Sequence, residues 1–156
     1  DNPLAPFSLD REKVRFALKT QCFYSFLDSA NLCMFVFGPA WTLYGPKQTL
    51  EALRAVTGWD DFDLDELLQV GARRLNMLRA FNAREGLERR HDCLPPKFFQ
   101  PLRGTGPTAG FALTETEIEQ AMDMYYEMAG WDVGAGMPTD ARLNELGLGW
   151  IRNLSI

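Results

Sequence analysis

The spacing of the apolar residues most constrains how this chain can fold, because it follows the helical period over much of the length. In the first such segment, from about residue 9 to about residue 29, apolar and small side chains recur at intervals of three and four. No stretch of the sequence alternates apolar and polar residues convincingly with the period of two that a half-buried strand requires. The pattern predicts an all-α, irregular multi-helix domain.

Capping residues predict where two further helices begin and end. Pro46 and Gly58 bracket a short helix, and Asp63 with Glu66 has the form of a capping box at the start of a long one. Gly71 lies inside this long helix and lowers its helix propensity, so we expect a neighbouring helix to approach closely there. The predicted buried stripe of the long helix comprises Leu64, Leu67, Leu68, Gly71, Leu75, Leu78 and Asn82.

The C-terminal third begins with a long loop and ends with two helices. Residues 93–110 contain four prolines as well as several glycines, which excludes regular structure and predicts a long Pro/Gly-rich loop. Thr114 and Glu117 then form a capping box for a helix that Gly130 ends. A last short helix is predicted from Thr139 onward.

Composition narrows the classes of function. A chain of 156 residues fits one domain, and its formal net charge of −5 gives no diffuse basic surface for nucleic acid. No apolar run approaches the roughly 20 residues that a membrane span needs, so we expect no membrane partner. The three cysteines are too few for a disulfide framework, which favours reduced thiols in a cytoplasmic protein.

Asp28 and Cys33 stand out because they lie in the otherwise apolar segment 24–38. On an uninterrupted helix, five residues turn roughly 500°, which would leave the two side chains about 140° apart. If the helix ends near Asp28 and a turn follows, both side chains can face one pocket; Asn31 favours such a break because Asn tolerates the left-handed conformation. Two interpretations remain open: a shared functional site, or a helix C-terminus beside a buried structural thiol.

Cysteine spacing limits what metal chemistry the chain can perform. A four-iron cluster needs four thiolates and structural zinc needs closely spaced Cys or His pairs, whereas this sequence has one histidine and no such pair. The chain can therefore donate at most one ligand to a centre whose other ligands lie elsewhere. The ungrouped cysteines are Cys22, Cys33 and Cys93.

The segment 81–95 is densely charged, with both signs at the end of the long helix. His91 beside Asp92 could form a general base, but no nucleophile or phosphate-binding loop accompanies the pair. We interpret the segment as a solvated helix end at which arginines hold a loop through carboxylate pairs.

Four motifs in this order resemble the C-terminal region of the tungsten-containing aldehyde:ferredoxin oxidoreductases. They are LDSANLC, VTGWDD, RAFNAREGLERRHDCLPPKFF and YYEMAGWDVGAGMPTDARLNELGL, and the likeness runs from about Leu27 to about Leu148. The resemblance implies that residues 1–156 are the C-terminal helical domain of a larger oxidoreductase chain, with residues 1–8 linker-like.

The resemblance also implies an activity that this chain would not have alone. Members of the family oxidise aldehydes to carboxylic acids, and electrons pass from a tungsten (or molybdenum) bis-pterin centre to a [4Fe-4S] cluster and then to ferredoxin. The implied partners are the N-terminal domains of the same chain, ferredoxin and a small aldehyde substrate. The isolated 156 residues are expected to bind neither tungsten nor a stable cluster, and the upstream sequence is expected to encode a C-x-x-C-x-x-x-C group.

The family's D-x-x-G-L-C motif aligns with residues 28–33. By this resemblance Asp28 accepts hydrogen bonds from a pterin, Leu32 lines the cofactor, and Cys33 is the fourth cluster thiolate; the motif's glycine is Asn31 here. The resemblance assigns no catalytic acid or base to this segment. Two alternatives stay open: a non-catalytic helical interaction module derived from the family, and a related tungsten enzyme with a different substrate.

Overall fold

The fold is described for residues 6–38 and 44–153 in a computed structural model. In this part of the chain the helices are α1 Arg11–Ser29, α2 Met34–Phe37, α3 Pro46–Thr57, α4 Leu64–Arg84, α5 Glu115–Ala129 and α6 Asp140–Glu145. Short 3₁₀ turns occur at Arg89–His91, Pro96–Phe99 and Gly149–Asn153. The only β pairing among these described residues is an isolated bridge between Trp131 and Pro138. The predicted all-α class is confirmed.

The predicted cap residues are in place, with one half of the predicted capping box at Asp63 and both halves at Thr114. The Asp63 carboxylate accepts a hydrogen bond from the Glu66 backbone N–H at 2.9 Å, which satisfies one of the free donors at the start of α4. At the start of α5 the Thr114 hydroxyl and the Glu117 carboxylate each accept a bond from the other's backbone N–H, at 3.2 and 2.9 Å. Gly130 then ends α5 at a φ of 76°. Likewise α3 begins at Pro46, and Gly58 follows its last residue, as predicted.

The buried face of α4 differs from the predicted apolar stripe. Leu64 and Leu78 were expected to be buried, but they are 42% and 46% exposed. The last two residues of the buried face are polar. Asn76 accepts a hydrogen bond from Trp131, and Arg79 donates to Asp92. These bonds remove the cost of burying polar groups, so the helix can turn its polar residues inward and leave leucines at the surface. The buried residues of α4 are Leu67, Gly71, Ala72, Asn76 and Arg79.

The expected close approach at Gly71 occurs, and the neighbour is α1. A Cβ atom built on Gly71 would lie 2.7 Å from the carbonyl carbon and 3.1 Å from the Cα of Cys22. Optimal contacts between carbon atoms are about 3.5–4.0 Å, so only glycine allows this distance between the two helix backbones. Gly71 therefore sets how close α1 and α4 lie.

Two hydrophobic clusters form the core, and both contain residues of α1 and α4. The first also includes the C-terminal segment; its buried members are Cys22, Ala72, Leu143, Leu146 and Leu148. The buried members of the second are Phe23, Phe26, Leu27, Phe62 and Leu67. The second cluster surrounds the last turns of α1 and includes the partly buried Leu32 just beyond the helix.

The long loop has the irregular structure that its prolines predict, apart from the 3₁₀ turn at Pro96–Phe99. Residues 1–5 of the segment predicted to be linker-like lie outside the described residues. Within residues 6–38 and 44–153, no helix is both long enough and apolar enough to span a membrane.

Candidate functional site

The end of α1 is a Schellman motif, which breaks the helix between the two candidate residues. The Leu32 N–H donates to the Leu27 carbonyl at 2.9 Å, and the Asn31 N–H donates to the Asp28 carbonyl at 3.4 Å. Asn31 has a φ of 55° and is the one non-glycine residue with positive φ in the described part of the chain. The expected helix break, with Asn in the left-handed conformation, is confirmed.

Asp28 and Cys33 lie on either side of this turn and are both accessible. Asp28 is in the last turn of α1 with its side chain 56% exposed, and Cys33 precedes α2 with an exposed thiol. Leu32 lies between them, partly buried against the second core cluster, and anchors the turn. Cys33 is therefore not the buried structural thiol of the alternative interpretation. The role of these three residues in binding a cofactor stays a prediction.

The Asp28 carboxylate has an arginine partner that sequence reasoning missed. Arg74 Nη1 on α4 lies 3.1 Å from Asp28 Oδ2. The same nitrogen is 3.3 Å from the hydroxyl oxygen of Ser25, a buried residue one turn earlier on α1. Arg74 is 46 positions from Asp28 in the sequence, and only the packing of α4 on α1 brings the two together. No sequence motif connects them.

Exposed apolar side chains follow Cys33. Met34 and Phe35, on α2, are 48% and 68% exposed. Adjacent large apolar side chains at the surface are typical of a site that a partner or ligand covers. The composition of this segment would suit a buried core, but in the structure Met34 and Phe35 form part of an exposed apolar surface.

The charged segment after α4 is part of an ion-pair network that is centred on Arg79 of α4. The Arg79 guanidinium donates two hydrogen bonds to the Asp92 carboxylate, at 2.9 and 2.5 Å, and Tyr126 donates a third through its hydroxyl. Burial by itself would raise the pKa of the Asp92 carboxyl, but the hydrogen bonds from Arg79 and Tyr126 outweigh it and hold that pKa below its usual range. Burial, together with the bond to Asp92, raises the pKa of Tyr126 to about 12.

The function of this network is to hold loops. Arg79 Nε donates to the Gly136 carbonyl at 2.5 Å, and Arg89 Nη1 donates to the Val133 carbonyl at 2.7 Å. His91 accepts a hydrogen bond from the Glu88 N–H through Nδ1, within its own turn. The interpretation that arginines hold a loop is confirmed, and Arg89 also pairs with the Asp123 carboxylate at 2.6 Å. Two features differ from the prediction: the contacts to the loop itself are to backbone carbonyls, and the central arginine, Arg79, is buried and lies before residues 81–95. His91 is used locally.

The other two cysteines differ from Cys33 in their surroundings. Cys22 is buried in the first core cluster, and burial raises the pKa of its thiol, against the opposing effect of the Arg142 guanidinium. Cys93 is exposed and lines an open groove of about 290 Å³ between the long loop and α5. Among residues 6–38 and 44–153, no group of three or more Cys, His, Asp or Glu side chains is arranged to hold a metal ion.

Comparison with known proteins assigns the family. The sequence profile described as "aldehyde ferredoxin oxidoreductase, domains 2 & 3" matches residues 1–148. The chain belongs to this family. It is a member of the aldehyde ferredoxin oxidoreductases, and the matched region is their C-terminal part, as the motifs predict.

Archaeal aldehyde ferredoxin oxidoreductases are among the relatives. The chain is 32% identical over 145 residues to the tungsten-containing aldehyde ferredoxin oxidoreductase of Pyrococcus horikoshii. It is 30% identical over 145 residues to the proteins of the same name from Pyrococcus furiosus and Thermococcus kodakarensis. Each alignment covers 92% of this chain and 22% of the relative, so the chain spans about a fifth of the length of the curated relatives it matches.

A solved structure has the same fold. The active-site complex of benzoyl coenzyme A reductase with 1,5-dienoyl-CoA contains a region that superposes with a TM-score of 0.72. The superposition covers 97% of this chain and 21% of that one, with 20% sequence identity. The aldehyde ferredoxin oxidoreductase domain described here therefore shares its helical architecture with part of a second enzyme.

Proposed function

We propose that this chain is the C-terminal domain of a tungsten bis-pterin, iron–sulfur enzyme that oxidises aldehydes to carboxylic acids and passes the electrons to ferredoxin. The proposal rests on one observation above all. In a member of the aldehyde ferredoxin oxidoreductase family, the turn after α1 presents an accessible carboxylate and an accessible thiol at the two ends of one motif. The relatives carry tungsten and aldehyde ferredoxin oxidoreductase in their names, which supports the metal and the reaction.

The residues present fit the proposed groups. A cluster ligand must be an accessible thiol that can lose its proton. Cys33 is exposed, whereas Cys22 is buried. A pterin presents neighbouring N–H donors, and a carboxylate is the acceptor that matches two such donors. The Asp28 side chain is 56% exposed and available for this role. Had Cys33 been buried like Cys22, the donor set would not fit.

Each residue would have a distinct task. Asp28 would accept hydrogen bonds from the pterin, and Cys33 would supply one thiolate to the [4Fe-4S] cluster. Leu32 would fix the turn through its bond to the Leu27 carbonyl, at 2.9 Å. Met34 and Phe35 would exclude water once other domains cover them, which lowers the local dielectric. When bound, the tungsten pterin supplies the oxidation chemistry and the cluster the electron transfer.

The proposal makes this chain dependent on the rest of its polypeptide. It spans about a fifth of the length of its relatives and offers one exposed thiol and one carboxylate at the turn after α1. We therefore propose that the isolated domain is inactive, that the N-terminal domains supply the other three cluster thiolates, and that a small aldehyde and ferredoxin are the substrate and the acceptor. Reduced, accessible thiols favour a cytoplasmic location.

The test is to replace Cys33 with Ser in the full-length protein and to measure iron content and the EPR signal of the reduced cluster. We expect the iron to fall from about four atoms per protein towards zero, because serine does not replace a cluster thiolate well. The matched control is Cys93→Ser, which removes the other exposed cysteine and should retain iron. Unchanged iron and activity in Cys33→Ser would discard the ligand role and favour the non-catalytic interaction module.

A further inference from the structure

The ion pair between Arg74 and Asp28 has an electrostatic reason to exist. Asp28 lies in the last turn of α1, where the negative end of the helix dipole disfavours a carboxylate. That turn contains no basic residue of its own. The compensating charge comes from α4, through the 3.1 Å contact of Arg74 Nη1 with Asp28 Oδ2.

The Arg74 guanidinium has a second contact on α1 besides Asp28. Its Nη1 donates to the Ser25 hydroxyl at 3.3 Å, and Ser25 is only 3% exposed. One turn earlier on α4, Gly71 contacts the backbone of Cys22, which lies one turn before Ser25 on α1. Because the two helix backbones are in contact there, the base of the Arg74 side chain lies at a set distance from the end of α1, and the bond to Ser25 restrains its guanidinium.

The contact with Arg74 limits the rotation of the Asp28 carboxylate and leaves most of its hydrogen-bond acceptor positions free. A carboxylate has about four lone-pair positions, so one contact to Oδ2 leaves most of them for another ligand. The Asp28 side chain, at 56% exposure, would otherwise rotate among its rotamers and lose that freedom only on binding. A ligand with two adjacent donors therefore meets a carboxylate that is already oriented.

We propose that Arg74 is a positioning residue for Asp28, holding its carboxylate in the orientation in which it accepts hydrogen bonds from the pterin. This inference rests on the proposed function, since it concerns the same carboxylate. It adds a residue on another helix, outside the D-x-x-G-L-C motif. Arg74 acts through Asp28, which its Nη1 contacts at 3.1 Å.

The chain offers a matched control for the loss of an interhelical ion pair. Arg11 Nη1 lies 3.1 Å from Glu127 Oε2 and joins α1 to α5, with both side chains 55% exposed. Arg11 begins α1 and Asp28 is near its end, so the two are about 26 Å apart along the helix axis. Arg11→Gln therefore removes a similar contact far from the proposed cofactor.

The experiment compares variants of the full-length protein during mild heating, measuring the loss of tungsten and pterin against the loss of iron. We expect Arg74→Gln to lose tungsten about tenfold faster than wild type, as is usual when a residue supporting a ligand is removed, with iron retained. Arg74→Lys should recover part of the effect because it keeps the charge without the planar fork. Arg11→Gln should behave as wild type. In an Asp28→Asn background, Arg74→Gln should add nothing.

Three results would overturn the inference. The first is that Arg74→Gln loses tungsten no faster than Arg11→Gln. The second is that it adds its full effect in the Asp28→Asn background. The third is that it loses iron and tungsten together as the protein unfolds, which would make its role structural. The proposed function fails differently. In that case Asp28→Asn itself retains tungsten as wild type does, or the wild-type protein holds none.

Discussion

The close contact between α1 and α4 predicts that Gly71→Ala destabilises the domain although alanine is the better helix former. The new Cβ would lie 2.7 Å from the carbonyl carbon of Cys22 and closer still to its oxygen. An ordinary carbon–carbon contact needs about 3.5 Å or more, so the backbones must separate by roughly 1 Å. Both atoms that clash are backbone, and no side-chain rotation can relieve the contact.

The magnitude follows from two opposing effects. A gap of about 0.5–1 Å forfeits roughly a quarter to a half of each dispersion contact across the interface, and overpacking of a core typically costs about 1–3 kcal/mol. Alanine returns about 1 kcal/mol of helix propensity. A clash between backbone atoms falls at the upper end of the range of about 1–3 kcal/mol, and the gain in helix propensity offsets part of it. We therefore expect the free energy of unfolding to fall by about 2 kcal/mol, which lowers the melting temperature by roughly 4–8 °C.

Unfolding of residues 1–156 by urea and by heat, followed by far-UV circular dichroism, measures this loss. The matched control is Gly106→Ala, because a Cβ at Gly106 would meet no atom within 4 Å and its φ is not in the left-handed range. We expect the control to be neutral or slightly stabilising. If Gly71→Ala equalled Gly106→Ala in stability, the helices would not lie at the described distance.

Two further substitutions test the loop network and the turn. Asp92→Asn should cost about 2 kcal/mol at pH 7, because the buried Arg79 guanidinium loses its charged partner. The pKa of Asp92 is lower in the folded state than in the unfolded state, where it is about 3.9. The Asp92 carboxylate therefore stabilises the fold fully above the unfolded pKa, and this stabilisation is lost as the pH falls through the folded pKa. In urea unfolding, the difference in free energy of unfolding between wild type and Asp92→Asn should be smaller at pH 3 than at pH 7. Asn31→Ala should cost about 1 kcal/mol because alanine is strained at a φ of 55°, whereas Asn31→Gly should be neutral or slightly stabilising by thermal unfolding; equal stability of the two variants would contradict the left-handed turn.

Local features of the sequence predicted most of the helix ends. Thr114 with Glu117 formed the expected reciprocal cap, and Asn31 adopted the left-handed conformation that breaks α1. These outcomes depend on hydrogen bonds between residues no more than about five positions apart, so neighbours in the sequence suffice to predict them. The same holds for Asp28 and Cys33, which a short motif identifies as candidates.

The tertiary structure decided which faces are buried and which charges meet. The period of α4 gives a helix, but the rotation that buries Asn76 and exposes Leu78 depends on Trp131, 55 positions from Asn76. The contact of Arg74 with Asp28 likewise exists only because Gly71 lets α4 approach α1. A sequence encodes local propensity within a turn or two, whereas long-range pairing is set by how the helices pack. The proposed cofactor residues, Asp28 and Cys33, belong to the first class, and the contact of Arg74 with Asp28 belongs to the second.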